Sequence, residues 1–150
     1  MQYLTSGIIR TLVFNLNQNL SKDSIYVAKR DIFQIRLMND ERFFWVVIVP
    51  EIPNASELHD LNPESLNNLF LLAAHLGKLL KTNRAAKKIN TAILGNIICQ
   101  LHIHIVVRFE NDPAWPGPVW GFGKPIPTPK ALIKKRTDQL LEIIETFNEK

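Results

Sequence analysis

The sequence predicts an α+β fold: an antiparallel sheet of about five strands with helices packed on it, forming a single domain over residues 1–150. Three observations lead there. Strand-like segments come in pairs joined by turn residues, two other segments carry the helical period, and there is no regular strand-helix-strand alternation of the kind a parallel sheet requires. A chain of 150 residues is long enough to bury one core and too short to divide comfortably into two.

Residues 1 to 23 mix apolar pairs with a polar run from Asn15 to Asp23 that has no period, and read as a strand or turn. From Ser24 to Met38 the β-branched and aromatic content rises, and the second half alternates as a strand does. Asn39, Asp40 and Glu41 supply turn chemistry, because short Asx side chains bond nearby backbone and tolerate unusual dihedrals. The return strand, Phe43 to Val49, is almost wholly apolar, which predicts cover on both faces, and Pro50 ends the pairing through its missing N–H.

A helix start follows at Leu61-Asn62-Pro63-Glu64. Asn62 can cap, Pro63 suits the first turn, Glu64 complements the dipole and Leu61 can staple onto Leu66. This helix is expected to run to about Thr82, with a stripe through Leu66, Leu69, Phe70, Ala73, Leu76, Gly77 and Leu80 facing the sheet. His75 beside that stripe and His59 in the preceding loop are assigned no role.

Ile89 to Ile93 and Cys99 to Phe109 read as two more strands, joined by a tight turn at Leu94-Gly95-Asn96-Ile97, since Gly95 and Asn96 accept positive φ. Residues 111 to 129 hold six of the nine prolines, three of the six glycines and two of the three tryptophans, so they form a long irregular loop. Thr128-Pro129 opens a last helix with apolar positions Leu132, Ile133, Leu140, Ile143, Ile144 and Phe147.

Composition excludes several classes. Hydrophobic residues make up 46% and charged residues 21%, an ordinary globular balance. The longest apolar run, Phe43 to Pro50, falls short of a membrane span, which needs roughly 18 to 20 residues. The first ten residues lack the pattern of a secretory signal, and Cys99 is the only cysteine, so no internal disulfide can form. A cytoplasmic protein without membrane partners is the expectation. The net charge is +4, with basic clusters at Lys81, Arg84, Lys87 and Lys88 and at Lys130, Lys134, Lys135 and Arg136. Either cluster could attract phosphate, but both also read as solvated helix faces.

The chemistry lies in Gln100-Leu101-His102-Ile103-His104-Ile105-Val106-Val107-Arg108. Alternation sends Gln100, His102, His104, Val106 and Arg108 to one face and the apolar residues to the other. Two imidazoles flanked by Gln and Arg suit a polar site on a rigid element better than a merely solvated face. A shared metal is the first alternative, yet a site needs three or four ligands and no cysteine cluster or HExxH motif supplies them. No metal site is therefore assigned.

The same stretch resembles the signature of the histidine triad (HIT) superfamily, His-apolar-His-apolar-His followed by two apolar residues, with Gln100 in place of the first histidine. Asn39 after the first apolar strand, the Gly95-Asn96 turn before Gln100, the Val-Pro strand end, His59-Asp60-Leu61 and the Pro-Glu helix start fit the same family. The resemblance covers roughly residues 30 to 110 in order. The tail Asp112 to Gly121 is similar to that of a bacterial subgroup.

The resemblance implies a nucleotide bound on the polar sheet face, with His102 attacking the α-phosphorus to form a nucleotidyl-histidine that water resolves. An imidazole with the ordinary pKa near ~6.5 keeps a free lone pair at neutral pH while its other nitrogen donates to a carbonyl. His104 would offer a hydrogen bond or proton to the departing oxygen. Gln100, a neutral amide, can orient but carry no proton. Asn90, Gly95 and Asn96 are candidates to bind the phosphate, and Asn39 matches the position that holds the ribose hydroxyls, though it also reads as an ordinary turn residue. Trp115 and Trp120 are candidates for a lid over the base, or for simple packing.

The implied activity is hydrolysis or nucleotidyl transfer at the α-phosphate of a conjugate of the dinucleoside polyphosphate or nucleoside phosphoramidate type. The implied partners are that nucleotide or nucleotide conjugate and a second copy of the chain, as a homodimer. No resident cofactor is implied, a divalent cation entering, if at all, with the substrate. A nucleotide-binding protein with little turnover is the alternative that Gln100 motivates. A basic nucleic-acid module is disfavoured, since no motif for it is present and +4 is a weak charge.

Overall fold

The computed structural model describes residues 12–148. The elements in chain order are α1 (Gln18–Asp23), β1 (Ser24–Arg30), β2 (Phe33–Met38), β3 (Phe44–Pro50), α2 (Pro63–Asn83), β4 (Lys88–Ala92), β5 (Ile103–Arg108) and α3 (Lys130–Glu145). The five strands form one sheet in the order β1-β2-β3-β5-β4, and every neighbouring pair is antiparallel. The α+β expectation holds.

Three local expectations give way. The polar run before Asp23 is a helix: Asn17 caps α1 by accepting from the amides of Asn19 and Leu20, a local bond that periodicity cannot register. The part of that reading on residues 1–11 lies outside the described residues. Second, Ser24 to Met38 is two strands rather than one. The chain reverses at Asp31 and Ile32, with Asp31 at φ 49°, a left-handed conformation that a short Asx side chain tolerates. Third, the connection between β4 and β5 is no tight turn. It runs over residues 93–102, with Gly95 at φ 78°, so His102 sits just ahead of the strand. Leu101 ties that stretch down by donating its amide to the carbonyl of Ala55 at 2.9 Å.

The central strand β3 is buried along its whole length, as its unbroken apolar sequence requires. One face, through Phe33, Ile35, Leu37, Val46, Ile48, Ile103, Ile105 and Val107, packs with Leu69, Leu72 and Leu76 of α2 and Leu140, Ile143 and Ile144 of α3 into the main core. Asn62 caps α2 by accepting from the amide of Ser65 at 2.8 Å. His75 ties α2 to α3 through the carbonyl of Ile143 and the hydroxyl of Thr146. The opposite face is covered in two patches. Leu20 of α1 packs on Val47 and Val49, while Ala114 and Val119 of the long loop pack on Phe43, Trp45 and Val106. Between those patches the sheet stays open, and the site lies there.

Candidate functional site

Strand β5 projects His104 and Val106 away from the main core, and the extended stretch before it keeps His102 on the same side. The two imidazoles lie with ring centroids 4.6 Å apart, at 72°. Each residue is only 6% exposed, but both line a cavity of about 360 Å³, large enough for a small ligand. Its walls come from four places: Leu20 and Asp23 of α1, Asp40 and Arg42 of the β2–β3 turn, residues 94–98, and the loop carrying Val119 and Trp120.

Hydrogen bonding assigns the tautomers. His102 Nδ1 lies 2.6 Å from the carbonyl oxygen of Gln100. A carbonyl only accepts, so Nδ1 carries the proton and Nε2 holds the lone pair. For His104 the order is reversed: the indole Nε1–H of Trp45 donates to Nδ1 at 3.0 Å. An indole only donates, so His104 Nδ1 holds the lone pair and Nε2 the proton. Burial, and after it the charge of His102, pushes His104 down to about 3, which keeps the ring neutral at ordinary pH. Trp45 and Trp120 stand around His104, their ring centroids 5.5 and 5.4 Å from it. One imidazole thus keeps a free lone pair at Nε2 and its neighbour a neutral N–H at Nε2.

The sequence candidates divide. Gly95, Asn96 and Trp120 line the cavity with the two histidines, whereas four others are placed elsewhere. Gln100 is turned to the N-terminal segment, its Oε1 accepting from the amide of Asn17 at 2.9 Å and its Nε2 donating to the carbonyl of Asn15 at 2.8 Å. Its backbone, not its side chain, meets His102. Asn90 accepts from Arg108 at 2.8 Å, and Asn39 accepts from the amide of Thr128 at 2.9 Å. Trp115 lies under the Arg108 guanidinium, 5.6 Å from it, as packing rather than lid.

Trp45 was missed. In β3 it shares a face with Val47 and Val49, and only the register that places Val47 opposite His104 brings its indole to the imidazole. The Asp40–Arg42 pair was missed too. Arg42 bonds both oxygens of Asp40 and the carbonyl of Phe122, joining the β2–β3 turn to the loop. Burial pushes the Asp40 carboxyl up, but the hydrogen bonds and charge of Arg42 outweigh it and hold the group below its usual range. The basic clusters are spread over other surroundings: Arg84 and Arg136 flank the Phe44 ring, while Lys87 and Lys134 pair with Glu110 and Asp138. Among the described residues no group of three or more His, Cys, Asp or Glu is placed to hold a metal ion, and no helix is long and apolar enough to cross a membrane.

The HIT domain family model matches residues 19–111. The chain belongs to the HIT family. Solved HIT structures similar to it include histidine triad proteins from Sinorhizobium meliloti (39% identity, TM-score 0.83, covering 86% of this chain and 96% of that one) and Marinobacter aquaeolei (32%, 0.87, 91% and 99%). A third, from Bradyrhizobium japonicum, shares 30% identity at a TM-score of 0.85, covering 88% and 98%. No curated protein matches the chain. Gln100, two residues before His102, turns its side chain to the backbone of Asn15 and Asn17.

Proposed function

We propose that this HIT protein binds a nucleotide conjugate in the cavity beside β5 and cleaves it at the α-phosphate, His102 forming a transient nucleotidyl intermediate. One observation carries the reading: His102 Nδ1 is tied to the Gln100 carbonyl at 2.6 Å, which leaves Nε2 as a positioned nucleophile on the cavity wall. The Nε2–H of His104 suits a phosphoryl oxygen on which negative charge grows. Residues around Gly95 and Asn96 line the same cavity and are the candidates for holding the phosphates. Leu20, Ile98 and Trp120 offer apolar and aromatic surface for a base.

Dinucleoside polyphosphates and nucleoside phosphoramidates are the substrates to test. In a single-turnover experiment, mass spectrometry is expected to find a nucleotidyl adduct on the protein, and His102→Ala is expected to abolish it and lower turnover at least about a thousandfold. Tight binding with no adduct would favour a second reading, a nucleotide-binding protein with little turnover. The orientation of Gln100 motivates that reading, because it leaves only two imidazoles at the reacting centre.

The same reading includes a homodimer. Strand β4 is an edge of the sheet, and edges with unpaired backbone are ordinarily covered. Phe70 and Leu71 of α2 are 44% and 48% exposed, and Phe70 shares a groove with Gly77 and Ile89. A second copy pairing β4 to β4 would cover this surface, and sedimentation equilibrium is expected to return twice the chain mass of 17.2 kDa.

A further inference from the structure

Among the described residues the site presents the lone pair of His102 Nε2 but no proton donor for a leaving group. His102 Nδ1 keeps its proton on the Gln100 carbonyl. His104 offers only the Nε2–H of a neutral ring, because protonating Nδ1 would require breaking the bond from Trp45. Gln100 points elsewhere. Of the carboxylates lining the cavity, Asp40 is committed to Arg42, and Asp23 sits at the exposed end of α1. Arg42, the cation lining the same cavity, is held by Asp40 and the Phe122 carbonyl.

We propose that Trp45 is a specificity-determining positioning residue: by donating its indole N–H to His104 Nδ1 it prevents that ring from acting as an acid, and so restricts the site to leaving groups that depart as stable anions. The inference rests on the nucleotidyl-transfer reading above. It selects phosphate or carboxylate as the departing group, and disfavours an amine or an alkoxide.

The step balances without an acid. The Nε2 lone pair of His102 forms the N–P bond, and the P–O bond to the leaving group breaks, its electron pair staying on the departing oxygen. That oxygen leaves as an anion, and the imidazole, still protonated at Nδ1, carries a positive charge. Water then forms a new O–P bond and the P–N bond breaks, returning the electron pair to Nε2. The spare proton passes to solvent. An amine leaving group would need a proton as the P–N bond breaks, and no group just described supplies one. Burial and the charge of His102, which push His104 down to about 3, oppose its protonation alongside the indole bond.

The test is a series of conjugates of one nucleoside monophosphate: the p-nitrophenyl ester, the phenyl ester, an alkylamine phosphoramidate and the dinucleoside polyphosphate. We expect kcat/KM to fall about 100-fold or more from the p-nitrophenyl to the phenyl ester, a loss of the size that a positioned acid would otherwise prevent. The polyphosphate should be cleaved and the phosphoramidate spared. In Trp45→Phe the gap between the two esters should narrow as the pH falls below about 6, because Nδ1 is then free of the indole and only burial and the charge of His102 oppose its protonation. Nitrogen-15 spectra of the unaltered protein should show His104 neutral, with its proton on Nε2, down to pH 5. Comparable rates for the phosphoramidate and the polyphosphate, an unchanged gap in a folded Trp45→Phe, or a protonated His104 near pH 6 would each overturn the inference while leaving nucleotidyl transfer intact. Failure to cleave any member, with no adduct from the activated ester, would sink both.

Discussion

The Arg108 guanidinium meets the Asp112 carboxylate through two bonds, Nε to Oδ2 at 2.8 Å and a terminal nitrogen to Oδ1 at 3.1 Å, with both side chains at most 5% exposed. The same guanidinium donates to Asn90 Oδ1 and to the carbonyl of Gly117. One side chain at the end of β5 therefore anchors β4 and the start of the loop that carries Val119 and Trp120 to the cavity. Replacing it leaves a buried carboxylate unpaired, which costs far more than the ion pair itself contributes. Arg108→Met is expected to destabilise the fold by about 3–5 kcal/mol, measured by urea unfolding. Asp112→Asn, which retains acceptor capacity, should cost less.

The pH dependence of stability should carry a signature of His104. Its ordinary value is 6.5, and the folded protein holds it at about 3. The unfolded chain takes up a proton near ~6.5 while the folded one does not, so folding is disfavoured as the pH falls between those values. The contribution of the neutral ring is complete above about 6.5 and declines toward 3, with a slope approaching about 1.4 kcal/mol per pH unit. Denaturant midpoints at pH 7, 6, 5 and 4.5 should fall more steeply in the unaltered protein than in His104→Gln. Parallel curves would refute the assignment.

The Gln100 side chain is bonded to the N-terminal segment. Its two bonds to the backbone of Asn15 and Asn17 fix the start of α1, and α1 supplies Leu20 and Asp23 to the cavity. Gln100→Ala should cost about 1 kcal/mol and raise KM several-fold with little change in kcat. A loss confined to kcat would instead place the amide in the chemistry.

Gly95 bends the chain at φ 78° with no tight contact around it, so a methyl group there meets backbone strain rather than a clash. Gly95→Ala should cost about 1 kcal/mol and weaken nucleotide binding more than it lowers stability, because the residues it orients line the cavity. Isothermal titration with a non-hydrolysable nucleotide would measure this.

Much of the fold was legible because its signals are local. The cap at Asn62 and the apolar stripe of α2 interact within one or two turns of helix, although Phe70, expected in that stripe, lies 44% exposed at its margin, and the unbroken apolar run of β3 declares a strand covered on both faces. The alternation through His102 and His104 put both imidazoles on one side of the chain before any partner strand was known. Signals masked by composition were lost: the cap of α1 lies in a run of polar residues, and the reversal at Asp31 interrupts what looked like one strand.

By itself the sequence determined the α+β class, the helix boundaries near α2 and the pairing of two histidines on a polar face, since each follows from periodicity or capping over a few residues. Tertiary structure alone decided what the amides and rings do. Asn39, Asn90 and Gln100 carry the right groups for a phosphate or ribose. Yet a hydrogen-bonding group takes the complementary partner that packing brings nearest, and for these three the partners found are Thr128, Arg108, and Asn15 with Asn17. Trp45 meets His104 for the same reason: neighbouring strands bring together residues far apart in the chain, and that contact determines which imidazole nitrogen holds the proton.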